Sequence, residues 1–66
     1  MRSKRTQKQT ARDQRRLHNA IKQNSGLKSS DYMELLDIPL YRWQTDIKSL
    51  VNSGAVFRIA RRYFDI

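Results

Sequence analysis

The sequence has no cysteine, one proline, two glycines and no long hydrophobic run in its 66 residues. Without cysteine the chain has neither disulfides nor thiolate metal ligands, the usual means of stabilising very small secreted domains. A transmembrane helix needs roughly 18 to 20 consecutive apolar residues, and no apolar stretch follows the basic N-terminus. These absences favour a reducing cytoplasm and predict neither a membrane protein nor a secretory precursor.

The residue types from which active sites are built are also scarce. His18 is the only histidine, and no cysteine or acidic cluster lies near it to complete a metal site or a nucleophile–base pair. Gly26 and Gly54 are the only glycines, which excludes a glycine-rich phosphate-binding loop. We therefore expect a single-domain, non-enzymatic protein with no cofactor, no metal and no small-molecule ligand.

Positive charge is what the sequence has in excess. Fourteen Lys and Arg residues against six acidic residues give a formal net charge of +8. Residues 1–24 hold eight of the basic residues and one acid, whereas residues 25–66 hold six basic residues and five acids. Such a chain is attracted to polyanions, of which nucleic acid is the commonest. A lipid surface fits less well, because the basic segment lacks the large apolar face of an interfacial helix.

The first ten residues contain no apolar side chain after Met1, so they cannot contribute to a core. We interpret residues 1–10 as a basic flexible arm and residues 11–66 as the folded domain. We expect the arm either to contact phosphates nonspecifically or to follow the minor groove. Its basic residues are Arg2, Lys4, Arg5 and Lys8.

Hydrophobic periodicity predicts a first helix after Thr10, which is a candidate N-cap because an acid follows three residues later. A short second helix is predicted to open at Ser29 or Ser30 and to end before Pro39, which cannot continue it. The apolar stripe of the first helix is predicted to comprise Leu17, Ala20 and Ile21.

A third helix is predicted from about residue 40 to residue 52, with Gly54 as its left-handed C-cap. Beyond it, branched and aromatic residues favour two short strands around 55–59 and 63–66. The connecting residues 60–62 include no Gly, Asn or Asp, so a terminal helical turn is the alternative there. The buried face of the third helix is predicted to comprise Leu40, Trp43, Ile47, Leu50 and Val51.

Two helices joined by a short break, then a capping glycine and a strand pair, form the layout of a helix-turn-helix with a wing. The segment 27–59, LKSSDYMELLDIPLYRWQTDIKSLVNSGAVFRI, resembles the DNA-binding domain of bacterial winged-helix transcriptional regulators, notably the DeoR-like type. The resemblance implies a mainly α fold with a small β-wing, a three-helix winged helix-turn-helix. The residues that match the core positions of that family are Leu35, Leu36, Ile38, Trp43, Ile47 and Leu50.

The segment departs from the family pattern at two positions. Asp37 stands at the turn position usually held by glycine, and an aspartate can adopt the left-handed conformation at modest cost. Met33 replaces the small residue that usually lets the two helices approach each other. The fold is expected to tolerate both changes.

The resemblance makes the third helix the recognition helix, which enters the major groove. Arg42 and Gln44 are expected to point outward and read guanine or adenine edges, and the wing is expected to touch the DNA backbone or minor groove. The predicted DNA-binding residues are Tyr41, Arg42, Gln44, Thr45 and Lys48 on the helix and Arg58, Arg61 and Arg62 on the wing.

We therefore expect a small cytoplasmic, nucleoid-associated regulator of transcription that binds double-stranded DNA sequence-specifically, of the kind found in bacterial or phage operons. A palindromic site would require a homodimer. Two alternatives remain open: an RNA-binding or ribosome-associated basic protein, which the arm fits equally well, and a winged-helix protein-interaction module.

Overall fold

The structure is a computed structural model that describes residues 5–66, so Arg2 and Lys4 of the predicted arm lie outside the described residues. The chain is mainly helical with a small antiparallel sheet, which is compatible with the predicted winged-helix arrangement. None of the helices within residues 5–66 is long and apolar enough to cross a membrane. In chain order the elements are α1 (Gln7–Gln23), β1 (Leu27–Lys28), α2 (Ser29–Leu36), α3 (Leu40–Asn52), β2 (Val56–Ile59) and β3 (Arg62–Asp65).

Helix α1 begins earlier than the sequence analysis predicts. Its N-cap is Thr6, not Thr10, and residues 7–10 therefore belong to the helix rather than to a flexible arm. The Thr6 side chain accepts a hydrogen bond from the backbone N–H of Gln9, and the Gln9 side chain accepts one from the N–H of Thr6, both at 3.1 Å. This reciprocal capping box satisfies two N–H groups at the helix start. Lys8 accordingly lies in the first turn of α1.

The core lies between the three helices and the inner face of the sheet. Trp43 is at its centre: its ring stacks on Tyr32 at a centroid distance of 5.8 Å and meets Tyr63 edge-on at 5.2 Å. Both arrangements are favourable for aromatic pairs. The buried hydrophobic residues, which include the predicted stripe of α1, are Leu17, Ala20, Ile21, Tyr32, Trp43, Ile47, Leu50 and Val56.

Three residues predicted to be in the core are exposed instead. Leu35 and Leu40 are 55% and 56% exposed, and Val51 is 38% exposed. Helix α3 buries a narrower stripe than predicted, and Asp46 occupies one position in it. Leu40 and Val51 therefore lie at the edges of the buried face. The partly buried residues that pack against the core include Met33, Leu36 and Ile38.

Helices α2 and α3 both end with a left-handed residue, as predicted. Gly54 has φ of 81°. The N–H of Ala55 donates to the carbonyl of Leu50 and the N–H of Gly54 to that of Val51, both at 3.1 Å. These two bonds constitute a Schellman motif. Asp37 has φ of 54° and ψ of 53° and ends α2, at the turn position that the sequence analysis expected to be left-handed.

The predicted strand pair is confirmed to within one residue at each boundary, and the alternative of a terminal helical turn is wrong. Strands β2 and β3 form a hairpin in which Ile59 is opposite Arg62. The two connecting residues, Ala60 and Arg61, both have positive φ, 50° and 67°. Positive φ at both positions is characteristic of the mirror-image turns that match the twist of a hairpin.

The sequence analysis did not predict β1. It adds a third strand on the other side of β3, giving the order β1-β3-β2, with Leu27 opposite Tyr63 and Lys28 opposite Arg62. Strand β1 belongs to the segment between α1 and α2, and its pairing with β3 connects this segment to the β2–β3 hairpin. The β2–β3 hairpin is therefore fixed to the helical part of the protein through β3, the central strand of the sheet.

Candidate nucleic-acid interface

Helix α3 has one exposed polar face, opposite the side that carries Trp43 into the core. Tyr41, Gln44, Thr45 and Lys48 lie on this face, as the sequence analysis predicts. The Thr45 hydroxyl donates to the carbonyl oxygen of Tyr41 at 3.0 Å. The face therefore presents an amide and an ammonium group, two kinds of side chain that contact base edges and phosphates in DNA complexes.

Arg42 does not share this face, so the prediction that it points outward is wrong. Its side chain is half-buried, and its Nε atom is buried with no hydrogen-bond partner within residues 5–66. It lines a small cavity where α1, α3 and the end of α2 meet, together with Asp13, Arg16, Leu36, Ile38 and Asp46. Because Arg42 precedes Asp46 by one helical turn, both are on the flank of α3 that faces α1.

Arg5 is partly buried and held by side chains of α1 and α3 rather than lying in a mobile arm. Its Nη1 and Nη2 atoms donate to the two carboxylate oxygens of Asp46 at 3.1 and 2.9 Å, and Nη1 also donates to Asp13 at 3.0 Å. The hydrogen bonds to Asp46 and then to Asp13 raise the pKa of the Arg5 guanidinium above its ordinary value. Asp46 is only 1% exposed. The sequence analysis did not identify this pair.

The β2–β3 hairpin, which corresponds to the predicted wing, carries the three arginines that were predicted for the wing. Arg58 is on β2, Arg61 is in the turn and Arg62 begins β3, and all three are exposed. The Nη1 atom of Arg62 donates to the carbonyl oxygen of Gly26 at 2.8 Å. This bond orients one of the three guanidinium groups against β1, whereas Arg61 lies at the tip of the hairpin.

The outer face of the sheet carries an aromatic pair that the sequence analysis missed. Phe57 and Phe64 are opposite each other in the register and stack at a centroid distance of 5.3 Å. Phe57 remains 38% exposed. Lys28 and Arg62, a second opposed pair, belong to the same sheet. Alternation along β2, where Val56 is buried and Phe57 exposed, is the signal that could have identified this face.

Charge is unevenly distributed over the surface. Two of the six acids, Asp13 and Asp46, form ion pairs with Arg5, and a third, Asp65, is hydrogen-bonded to Nε2 of His18 at 2.8 Å. The other three lie on α2 or at its end and form no ion pair within residues 5–66. Within residues 5–66, acids with no basic or histidine side chain beside them are thus confined to α2 and its end, so a polyanion would approach the basic surfaces of α1, α3 and the β2–β3 hairpin. The three unpaired acids are Asp31, Glu34 and Asp37.

Among residues 5–66, no three histidine or acidic side chains are close enough together to hold a metal ion. A scan against models of known protein families finds no match to the chain, and searches among curated proteins and solved structures find none either. The resemblance to winged-helix regulators therefore stays a prediction.

Proposed function

We propose that this protein binds double-stranded DNA sequence-specifically and acts as a small transcriptional regulator with a winged helix-turn-helix domain. The observation that carries the proposal is the exposed polar face of α3, on which Gln44, Thr45 and Lys48 lie together. An α-helix fits the width of the major groove of B-form DNA. In this proposal α3 is the recognition helix.

Two features support the choice of α3. The helix is anchored by Trp43, Ile47 and Leu50 on its buried side, so its exposed side chains start from a rigid support, and a rigid support favours specific contacts. The amide of Gln44 can make two hydrogen bonds to the major-groove edge of adenine. Lys48, one turn further along, has the reach and charge to contact a phosphate.

The flanking surfaces supply the sequence-independent part of the affinity. Exposed basic side chains lie on α1 and on the wing, and each phosphate they neutralise releases counterions from the DNA. The acids on α2 disfavour approach from that side. The exposed basic residues on these two surfaces are Lys8, Arg12, Arg15, Arg16, Lys22, Arg58, Arg61 and Arg62.

The test is a selection of duplexes from a random library, followed by affinity measurements on the selected duplex and on a scrambled one. Gln44→Ala should cost about 1 to 3 kcal/mol on the selected duplex and little on the scrambled one. Lys48→Ala should weaken both duplexes alike. Gln23→Ala, the same change at the exposed end of α1, should change neither affinity.

Two results would overturn the proposal. If no sequence is enriched, the protein does not discriminate among duplexes. If Gln44→Ala weakens the selected and scrambled duplexes equally, α3 does not read base edges, and the protein is a nonspecific nucleic-acid binder.

A second candidate function, binding of RNA or another single strand, is favoured by the aromatic pair on the sheet. Unpaired bases stack on exposed aromatic rings, and nearby basic residues hold the backbone. Phe57, with Lys28 and Arg62 on the same sheet, has this combination. If this function is the correct one, Phe57→Ala will weaken binding to a single-stranded oligonucleotide and leave duplex affinity unchanged.

A further inference from the structure

The cleft between α1 and α3 brings together four arginines. Arg12 and Arg16 are one helical turn apart on α1 and therefore lie on the same side of it. Arg42 reaches the cleft from the first turn of α3, and Arg5 lies at its N-terminal end. The cleft has a volume of about 290 Å³ and is completed by Gln9 and Asp13.

The charge of the cleft is not balanced by the protein. Asp13 lines the cleft, Asp46 lines a small adjoining cavity that shares Asp13, Arg16 and Arg42 with it, and Arg5 already engages both carboxylates. Arg12, Arg16 and Arg42 form no ion pair within residues 5–66. With four arginines against two aspartates, a net charge of +2 remains.

Arg42 also has an unmet hydrogen-bonding requirement. Its Nε atom is buried and has no partner within residues 5–66. A buried donor without an acceptor is costly, and the cost is larger when the group is charged. An anion that binds in the cleft would offset the positive charge and, once the Arg42 side chain turns toward it, accept this hydrogen bond.

We propose that the cleft is a phosphate-binding site in which the guanidinium groups of Arg12, Arg16 and Arg42 hold one phosphate group. Planar guanidinium groups donate pairs of hydrogen bonds that match the spacing of phosphate oxygens. Arg5 does not bind the phosphate. By holding Asp13 and Asp46, it keeps these carboxylates from neutralising the other arginines.

The phosphate has two possible sources, a free phosphate anion and the backbone of DNA. The second source rests on the proposed function. Arg42 is two residues before Gln44 on α3, so a backbone phosphate held in the cleft would fix the position of the helix along the groove. Contacts of this kind set the register of a protein on the duplex without reading its sequence.

The first measurement uses the full chain without DNA. Inorganic phosphate is titrated at constant ionic strength, with chloride as the reference anion, and binding is followed through the Nε–H resonance of Arg42. We expect a saturable shift of this resonance. Arg42→Gln and Arg16→Gln should each weaken phosphate binding, measured on the backbone resonances of α1, by about tenfold.

Arg15→Gln is the matched control. It removes the same charge from α1 at a position that does not line the cleft and lies instead in a neighbouring groove with Lys8, Ala11 and Arg12. It should change phosphate affinity less than twofold. Arg16→Gln is included because Arg16 is exposed, so this variant remains informative if Arg42→Gln lowers the stability of the fold.

The second measurement repeats the comparison with duplex DNA. Arg42→Gln should weaken the selected and scrambled duplexes alike and should lower the slope of log affinity against log salt by roughly 0.9. If phosphate binds but no duplex does, the cleft site stands and the proposed function fails. The other outcome is that a duplex binds, but Arg16→Gln and Arg42→Gln change phosphate affinity and duplex binding no more than Arg15→Gln does. In that case the cleft proposal is overturned and the proposed function stands.

Discussion

Arg5 and Asp46, 41 positions apart in the sequence, are joined by two hydrogen bonds of 2.9 and 3.1 Å. Asp46 is the one buried charged residue within residues 5–66. Arg5 immediately precedes the N-cap of α1, so the pair ties the start of α1 to the middle of α3. A buried carboxylate that loses its partner is strongly destabilised.

Arg5→Gln is therefore expected to lower the free energy of unfolding by about 3 kcal/mol, because it leaves the Asp46 carboxylate buried without a counter-charge. For a domain of this size such a loss is a large part of the total stability. The measurement is thermal or urea unfolding followed by the fluorescence of Trp43, the single tryptophan.

Lys8→Gln is the control, since it removes the same charge from an exposed position three residues away and should cost less than about 0.5 kcal/mol. The double variant Arg5→Gln/Asp46→Asn should recover part of the loss, because no buried charge is then left unpaired. Equal unfolding midpoints for Arg5→Gln and Lys8→Gln would contradict the structural role of the pair.

The start of α1 shows where reasoning from the sequence fails. The first two turns contain almost no apolar residues, so periodicity gives no helical signal there, and the capping pair Thr6 and Gln9 is the only local one. The ends of α2 and α3 could be predicted because Asp37, Pro39 and Gly54 have local conformational effects that do not depend on the rest of the fold.

The burial of Asp46 could have been predicted from the sequence, but its pairing with Arg5 could not. It lies between Trp43, Ile47 and Leu50 at helical spacing, so the phase of α3 that buries these residues also buries the carboxylate. Its partner Arg5 is brought to it only by the tertiary packing of α1 on α3. The same packing, rather than any local signal, turns Arg42 into the cleft.

Tyr32 gives the stability a defined dependence on pH. Its hydroxyl donates to the carbonyl oxygen of Asn24 and accepts from the N–H of Leu27 at 3.3 Å. Burial raises the pKa of this hydroxyl above its ordinary value, and the negative charge of Asp31 adds to the effect. The neutral form is therefore the one that the fold stabilises.

The pKa of Tyr32 is higher in the folded than in the unfolded chain. Its contribution to the free energy of unfolding is therefore fully present below about pH 10 and is lost as the pH rises through the pKa of the folded chain. The unfolding midpoint should therefore fall above about pH 10. Tyr32→Phe should cost about 1 kcal/mol at neutral pH and show a shallower alkaline fall. An equally steep alkaline fall in Tyr32→Phe and in the unmodified protein would contradict this assignment.

The hairpin turn is the part of the sheet that the sequence specifies least well. Ala60 and Arg61 both have positive φ, a conformation that costs residues other than Gly, Asn and Asp roughly 1 kcal/mol or more. Strand β1 could not be predicted, because two residues carry no periodicity and Leu27 and Lys28 become a strand only by pairing with β3.

Ala60→Asn is expected to raise the free energy of unfolding by about 0.5 to 1 kcal/mol, since asparagine favours the first position of this turn. Ala11→Asn, the same substitution at an exposed position of α1, should lower it, because asparagine is a poor helix former. The unfolding midpoints of the two variants test both expectations.

Arg61→Gly should likewise stabilise the hairpin but weaken duplex binding. Unchanged binding would remove Arg61 from the proposed interface.

The contribution of the first basic residues to DNA binding must be tested by changing charge alone. Deleting residues 1–10 would also remove the capping box of α1 and the bond from Arg5 to Asp46, so a loss of affinity would have two causes. Arg2→Gln/Lys4→Gln avoids this, because both positions precede the residues that hold α1.

If both side chains contact phosphates, this double variant should lower the slope of log affinity against log salt by roughly 1.8, about 0.9 for each contact. The ratio of affinities for the selected and scrambled duplexes should stay the same, because phosphate contacts carry no sequence information. Thr6→Ala, which removes the cap without changing charge, should leave the slope unchanged. An unaltered slope in the double variant would show that neither residue contacts DNA, whereas a reduced affinity ratio would place these residues at base edges, as in a minor-groove arm.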